Sequence, residues 1–255
     1  MKGATYPRRA SMVATVPDES HGEPVKNAGN AARMLRKLAK LAAQVTALSG
    51  DPSVRAPLRG RYVGLIAGGP VDDAGPDRLA AIETAALALG ARTARLGITL
   101  PISAGDLILL AGLYDLVCCG KTLGGLAPQM TRAGIQFVHG VLEPRDPVAL
   151  LALLMAMRNR APASAPIALA CSGRASKPAV NLLIKGAALL GLQRVTCEQG
   201  IEVPGTWRLE ATTGGYADWR LVAPAESPLD SHLWRAELDQ QYGVALQCAL
   251  MEALA

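Results

Sequence analysis

Phe137 is the only phenylalanine in a chain of 255 residues, and aromatic residues of all kinds make up 4% of it. Half of the residues (50%) are nonetheless hydrophobic, so an interior of ordinary size has to be filled by alanine and leucine. No apolar run approaches the roughly 20 residues that a membrane-spanning helix needs, and no signal peptide is visible, which argues against a membrane protein. The net charge of +5 is spread along the chain, with no lysine–arginine block and no interleaved aromatics. That is the pattern of a solvated surface and not of a nucleic-acid binder. The three histidines, His21, His139 and His232, are far apart, and the five cysteines (Cys118, Cys119, Cys171, Cys197, Cys248) lack metal-ligand spacing, so no metal is expected. Those cysteines sit mostly in apolar runs, as reduced, buried thiols of a cytoplasmic protein would.

What is present is organised around residues 62–96. Tyr62 to Ala67 is an apolar run of strand length, and Gly68 to Asp77 is a loop rich in Gly, Pro and Asp. Arg78 to Ala91 carries Leu79, Ile82, Ala86, Leu87 and Leu89 as a helix that Gly90 stops, and Arg92 to Leu96 reads as a second strand. Strand, loop, helix and strand make a right-handed βαβ unit of a parallel sheet. A loop in that place, leading into a helix N-terminus, is a natural phosphate site. Here it offers Asp72, Asp73 and Asp77, with Arg78 its only cation, and three carboxylates oppose an anion electrostatically. Asp77 is expected to cap the helix itself.

Around that unit, residues 1–29 read as a flexible polar arm without periodicity. A helix capped by Asn30 runs to Leu48, with Arg33, Arg36, Lys37 and Lys40 on its outer side. Ser103 caps a helix to Leu113, Asp115 to Cys119 is a strand, Leu126 to Ala133 a helix and Ile135 to His139 a strand. Asp146 stands at the N-terminus of a helix from Pro147 to Arg158, and a Pro/Ala/Ser linker from Arg160 to Pro166 marks a domain boundary. A second α/β unit follows: strand Ile167 to Cys171, a loop with Arg174 and Lys177 that suits an anion, helix Pro178 to Leu190, and strand Arg194 to Cys197. Trp207 to Ala211 and Trp219 to Val222 are strands parted by a turn, and Leu233 to Leu254 is a last helix. The expected fold is α/β, with two parallel-sheet domains: 30–159 together with the closing helix 236–255, and a shorter 160–235.

The order of these pieces resembles the aspartate/ornithine carbamoyltransferase family over nearly all of residues 31–255. "IETAALALGA" is similar to the helix of the family's "SxRTRxSFExAxxxLG" segment, with Glu83 on its Glu and Gly90 on its Gly. "ISAGD" resembles the "KGE" loop, "GLYDLVCC" the "YxDxIVxR" strand, and "AGIQFVHGVLEPRDPVALLALLMAM" the segment ending in "HPTQxLxDLxTI". "QQYGVALQCALMEAL" resembles the closing helix. The resemblance implies a carbamoyl-phosphate domain and an amino-acid domain, a cyclic homotrimer with sites between subunits, and attack of an amine on carbamoyl phosphate. No metal or organic cofactor is implied; cations and hydrogen-bond donors stabilise the phosphate and the oxyanion.

Measured against that pattern, the motif's Ser falls on Gly75 and its arginines on Asp77 and Leu79. The loop lysine becomes Ala104, the arginine after the third strand becomes Gly120 with Lys121 beside it, the Asn of "VIN" becomes His139, and the His and Gln of "HPTQ" become Asp146 and Ala149. Three readings stay open. The chain is a non-catalytic structural or regulatory homologue, for instance the partner of an active carbamoyltransferase paralogue. Or it is an active transferase using Arg78, Lys121 and His139. Or it binds or transforms another small anion or amino acid through Gly75, Asp77, Arg78, Lys121, His139, Asp146, Arg174 and Lys177.

Overall fold

The two central strands of the first sheet are apolar and buried on both faces, and that sets the architecture. The computed structural model describes residues 24–48, 56–66, 76–98, 102–119, 127–139, 147–161, 167–170, 177–192, 195–196, 207–211, 219–222 and 230–255. In chain order these form α1 (Pro24–Leu48), β1 (Tyr62–Ile66), α2 (Pro76–Ala88), β2 (Arg92–Leu96), α3 (Ala104–Leu113), β3 (Leu116–Cys119), α4 (Ala127–Arg132) and β4 (Gln136–His139). Then come α5 (Pro147–Arg160), β5 (Ile167–Ala170), α6 (Lys177–Leu189), β6 (Val195–Thr196), β7 (Trp207–Ala211), β8 (Trp219–Val222) and α7 (Ser231–Ala253).

The first sheet runs β2-β1-β3-β4, all parallel, and the second runs β6-β5-β7-β8. The second departs from an all-parallel expectation, because β8 pairs antiparallel to β7, Arg208 opposite Val222 and Ala211 opposite Trp219. Only seven residues, 212–218, join the two strands, too few for a parallel crossover, which takes a dozen or more.

On one face of the first sheet, Val63, Leu65, Leu116 and Cys118 join a core built with α1, α2, α5 and α7. That core continues into the second unit through Leu182, Leu183, Ala187, Leu192 and Trp207. The opposite face holds a separate small cluster of Ile66, Val117, Cys119, Ile102, Leu110, Met130 and Ile135, served by α3 and α4. α5 lies at the centre of the larger core, with Val148 to Met157 buried without a break. α7 packs on α5, α1 and α2, and α6 packs on both α1 and α5. Gly186 permits that last approach: a Cβ there would stand 2.6 Å from Leu154 Cδ1 and 2.7 Å from Leu35 Cδ2. Where α5 ends, Glu237 of α7 accepts hydrogen bonds from Asn159 Nδ2 (2.8 Å) and Gln241 Nε2 (2.9 Å) and faces Arg160 Nε at 3.3 Å.

Local signals place the helix ends with two corrections. Gly90, at φ 82°, closes α2 in the left-handed conformation, with the Ala91 N–H reaching Ala86 O at 3.1 Å. Ser103 caps α3 reciprocally with Asp106: the Asp106 N–H donates to Ser103 Oγ (3.1 Å) and the Ser103 N–H to Asp106 Oδ2 (3.2 Å). α1, however, begins at Pro24, so Asn30 lies inside the helix and 24–29 belong to it and not to an arm. α2 begins at Pro76, so Asp77 stands within the first turn and is not its cap. In both helices a proline opens the first turn, where its missing N–H has no partner to lose and its φ is already helical.

Candidate functional site

The register of the first sheet lines up its carboxyl edge. Leu96 pairs with Ile66, Ile66 with Cys119, and Cys119 with His139. His139, the last residue of β4, therefore ends level with the strand that precedes α2. Asp77 and Arg78 occupy the second and third positions of α2, whose N-terminal turn follows β1. α5 opens at Pro147 on the continuation of β4. Helix N-termini at a carboxyl edge present N–H groups and positive dipole ends. The fold thus brings Asp77, Arg78 and His139 to one edge of one sheet.

Lys177 is the first residue of α6, on the corresponding side of the second sheet, where Ala170 pairs with Glu210 and Glu210 with Arg220. Sequence reading places Glu210 and Arg220 on strands but does not single them out as site residues. Gly75, Lys121, Asp146 and Arg174, together with Asp72 and Asp73, lie outside the described residues.

Two positions of the resembling motif take definite structural parts. Leu79, which stands on the motif's second arginine, is half-buried and packs against the main core. Glu83, which stands on the motif's glutamate, is tied to the neighbouring edge strand. Its Oε2 accepts from Arg95 Nη2 at 2.6 Å and Arg95 Nε at 3.0 Å, and Thr93 Oγ1 lies 3.4 Å from Oε1. Glu83 thus fastens α2 to β2.

At the opposite, amino edge of the sheet, the Tyr62 N–H donates to Asp115 Oδ2 at 2.8 Å, the Asp115 N–H returns to Tyr62 O at 2.9 Å, and Arg61 Nη1 meets Asp115 Oδ1 at 2.7 Å. The Tyr62 N–H and the Arg61 guanidinium hold the Asp115 carboxyl below its ordinary value of 3.8. Arg92 donates to the Tyr62 hydroxyl at 2.6 Å, its guanidinium carbon 5.4 Å from the ring centre. This network joins the starts of β1, β2 and β3 and lies at the far end from the candidate site. Burial pushes the thiols of Cys118 and Cys248 up to about 12, so neither offers a thiolate nucleophile. Among the described residues no three His, Cys, Asp or Glu side chains gather as a metal site, and no helix is long and apolar enough to cross a membrane.

No family model matches the sequence, and no curated protein matches it either. Among solved structures, the chain is similar to a mitochondrial ornithine carbamoyltransferase from Coccidioides immitis, with a TM-score of 0.56 and 12% identity over 88% of this chain and 94% of that one. It is similar also to the ornithine carbamoyltransferase of Burkholderia thailandensis, with a TM-score of 0.53 and 11% identity over 86% of this chain and 93% of that one. At such identities the likeness is one of fold: the chain has the two-domain α/β fold of the ornithine carbamoyltransferases, in shortened form.

Proposed function

We propose that this chain is a carbamoyltransferase-like protein that does not carry out normal carbamoyl transfer and acts as a structural or regulatory homologue. The observation that carries the reading is Leu79. On the alignment that the resemblance implies, the second phosphate-binding arginine is replaced by a half-buried leucine that packs against the main core, so α2 presents no cation from that position. Asp77, on the first arginine's position, puts a carboxylate where a guanidinium is needed. Each missing charge-assisted hydrogen bond takes away about 1.5–3 kcal/mol of affinity, and two of them together weaken anion binding by at least about a hundredfold.

An active transferase is the second reading, favoured by the common edge that Arg78 and His139 share, with Lys121 as the third group. Calorimetric titration with carbamoyl phosphate separates the two. No saturable heat up to millimolar ligand, together with no carbamoylated product from ornithine or aspartate, is expected. Saturable binding at millimolar or better would move the assignment to the active reading. Restoring Gly75→Ser and Asp77→Arg should create phosphate affinity. Leu79→Arg is left out because it would also remove an apolar contact with the core.

The same reading divides the chain near residue 160, counts the closing helix with the first domain, and sets the protein in the cytoplasm as a homotrimer or as a partner of an active paralogue.

A further inference from the structure

Read along the sequence, the net charge of +5 is scattered, but summed by element it matches one helix. α1 holds Lys26, Arg33, Arg36, Lys37 and Lys40 and no Asp or Glu. The chain has 26 Lys and Arg against 21 Asp and Glu, so everything outside α1 is balanced. Arg33, Arg36, Lys37 and Lys40 are all exposed. At 100° per residue they fall within an arc of about 100° and span about 10 Å along the axis. On the other side of the helix Leu35, Leu38, Ala42 and Val45 are buried in the main core, where α1 packs on α5, α6 and α7. The neighbouring α6 adds the exposed Lys185 and no acidic residue.

Within the stripe every neighbour three or four residues away is another cation, and such like-charge pairs weaken a helix. One of the four has a described partner, and that partner shows what suits the stripe. Lys37 Nζ pairs with the carboxylate of Glu252, which a second helix, α7, offers from its last turn. Among the described residues, Arg33, Arg36 and Lys40 take part in no ion pair.

We infer that this stripe docks an acidic α-helix of another protein, with Asp or Glu at three- and four-residue spacing over about two turns. A partner helix repeats its side chains at the same rise as α1, so carboxylates along one of its faces meet the cations in register, as Glu252 meets Lys37, and relieve their repulsion. A second copy meeting α1 stripe to stripe is repelled. A lipid surface takes up a basic helix through apolar side chains free to insert beside the cations, and those of α1 are committed to the core. A single-stranded nucleic acid stacks its bases on aromatic rings, and α1 has none. Two helical turns cover less than the roughly 800 Å² per partner of a stable interface, so the contact is weak by itself and screened by salt.

The inference stands apart from the function proposed above. The probe is a synthetic helical peptide with Glu at alternating three- and four-residue spacing, and its fluorescence anisotropy is read on titration with the full chain at about 50 and about 300 mM salt. Saturable binding that weakens at the higher salt is expected, with none by the same peptide carrying Gln for Glu. Arg36→Glu/Lys40→Glu should weaken binding by at least about tenfold. Arg59→Glu/Arg132→Glu changes the net charge equally at two exposed positions off α1 and should weaken it by less than about threefold. Thermal unfolding checks that each variant folds; if the reversed pair does not, Arg36→Gln/Lys40→Gln replaces it, with Arg59→Gln/Arg132→Gln as its control. Equal weakening by both pairs would show that net charge alone draws the peptide and would overturn the docking site. No saturation at about 200 µM chain would overturn it too. Tighter binding of a short DNA duplex, or of phosphatidylcholine vesicles with about 30% phosphatidylserine, lost in the α1 variant, would replace the acidic helix by that partner.

Discussion

Among the described helices, α5 and α3 are apolar all round over most of their length, and they meet opposite surroundings. α5 is enclosed by α1, α6 and α7, and ten consecutive residues from Val148 to Met157 are buried. α3 serves the other face of the first sheet, over the small cluster, and buries Leu110 alone. A helix that is hydrophobic all round is ordinarily a buried one. α5 obeys the rule within one chain, and α3 does not. Composition therefore fixes how much apolar surface a helix has to hide, while topology decides whether its own chain can hide it. Among the described residues, α1, α2, α5 and α7 share the core on one face of the first sheet, and the short α3 and α4 serve the other.

The largest effect that can break this comparison comes from truncating each helix in turn. Leu154→Ala empties a fully buried position and should lower unfolding stability by about 3–4 kcal/mol. Leu109→Ala, at dilute concentration, should change it by less than about 0.5 kcal/mol. Denaturant unfolding of both variants checks this, and similar losses would mean that α3 is held by its own chain after all. Gly186→Ala sharpens the same point from the α6 side. Its Cβ would press on Leu154 and Leu35 closer than real contacts allow, but both clashing atoms are side-chain ends that can move, and alanine is the better helix former. A net loss of about 1–2 kcal/mol is expected. No loss would show that α6 sits looser on α1 and α5 than the structure has it.

Much of the fold is legible in the sequence because short apolar runs, glycine stops and the Ser103 cap are local signals. Two helix starts escape for a local reason as well: a proline at the first turn reads as loop in "GPD" and as arm in "EPV". The direction of β8 depends on the length of its connection and on nothing in its own residues. At the candidate site, the sequence holds an answer that motif counting hides. Leu79 reads both as a helix-face residue and as a stand-in for an arginine, and its 3.6-residue spacing with Ile82, Ala86 and Leu89 already aims it at the core. His139 reaches the carboxyl edge of β4 as its strand pattern requires. The exposure of α3 is half legible, since an all-apolar helix announces a need for cover without naming what supplies it.

Between the two faces, the amino-edge network pins the strands that both cores share. Asp115→Ala removes the acceptor for the Tyr62 N–H and the partner of Arg61. Both groups reach solvent, with Tyr62 41% exposed, so water replaces much of what is removed and the expected cost is about 1 kcal/mol. The pH dependence has a fixed sign. The folded carboxyl titrates below its ordinary 3.8, so its contribution is whole above that value and disappears as acid carries the pH down through the lower folded pKa. Wild type and Asp115→Ala should therefore differ at neutral pH and converge once the pH falls below the depressed folded pKa. A difference that persists in strong acid would assign the effect to packing.

The smallest effect is the most discriminating for α3. Gly112→Ala adds one methyl group where nothing lies within 4 Å, near the end of an exposed helix. In the isolated chain the methyl group has nothing to strike and it restricts the unfolded backbone, so it should raise monomer stability by roughly 0.5 kcal/mol. Denaturant unfolding of the variant should show the higher midpoint, since nothing lies within 4 Å of the added methyl group. A glycine needed for the fold of the single chain would lower the unfolding midpoint instead.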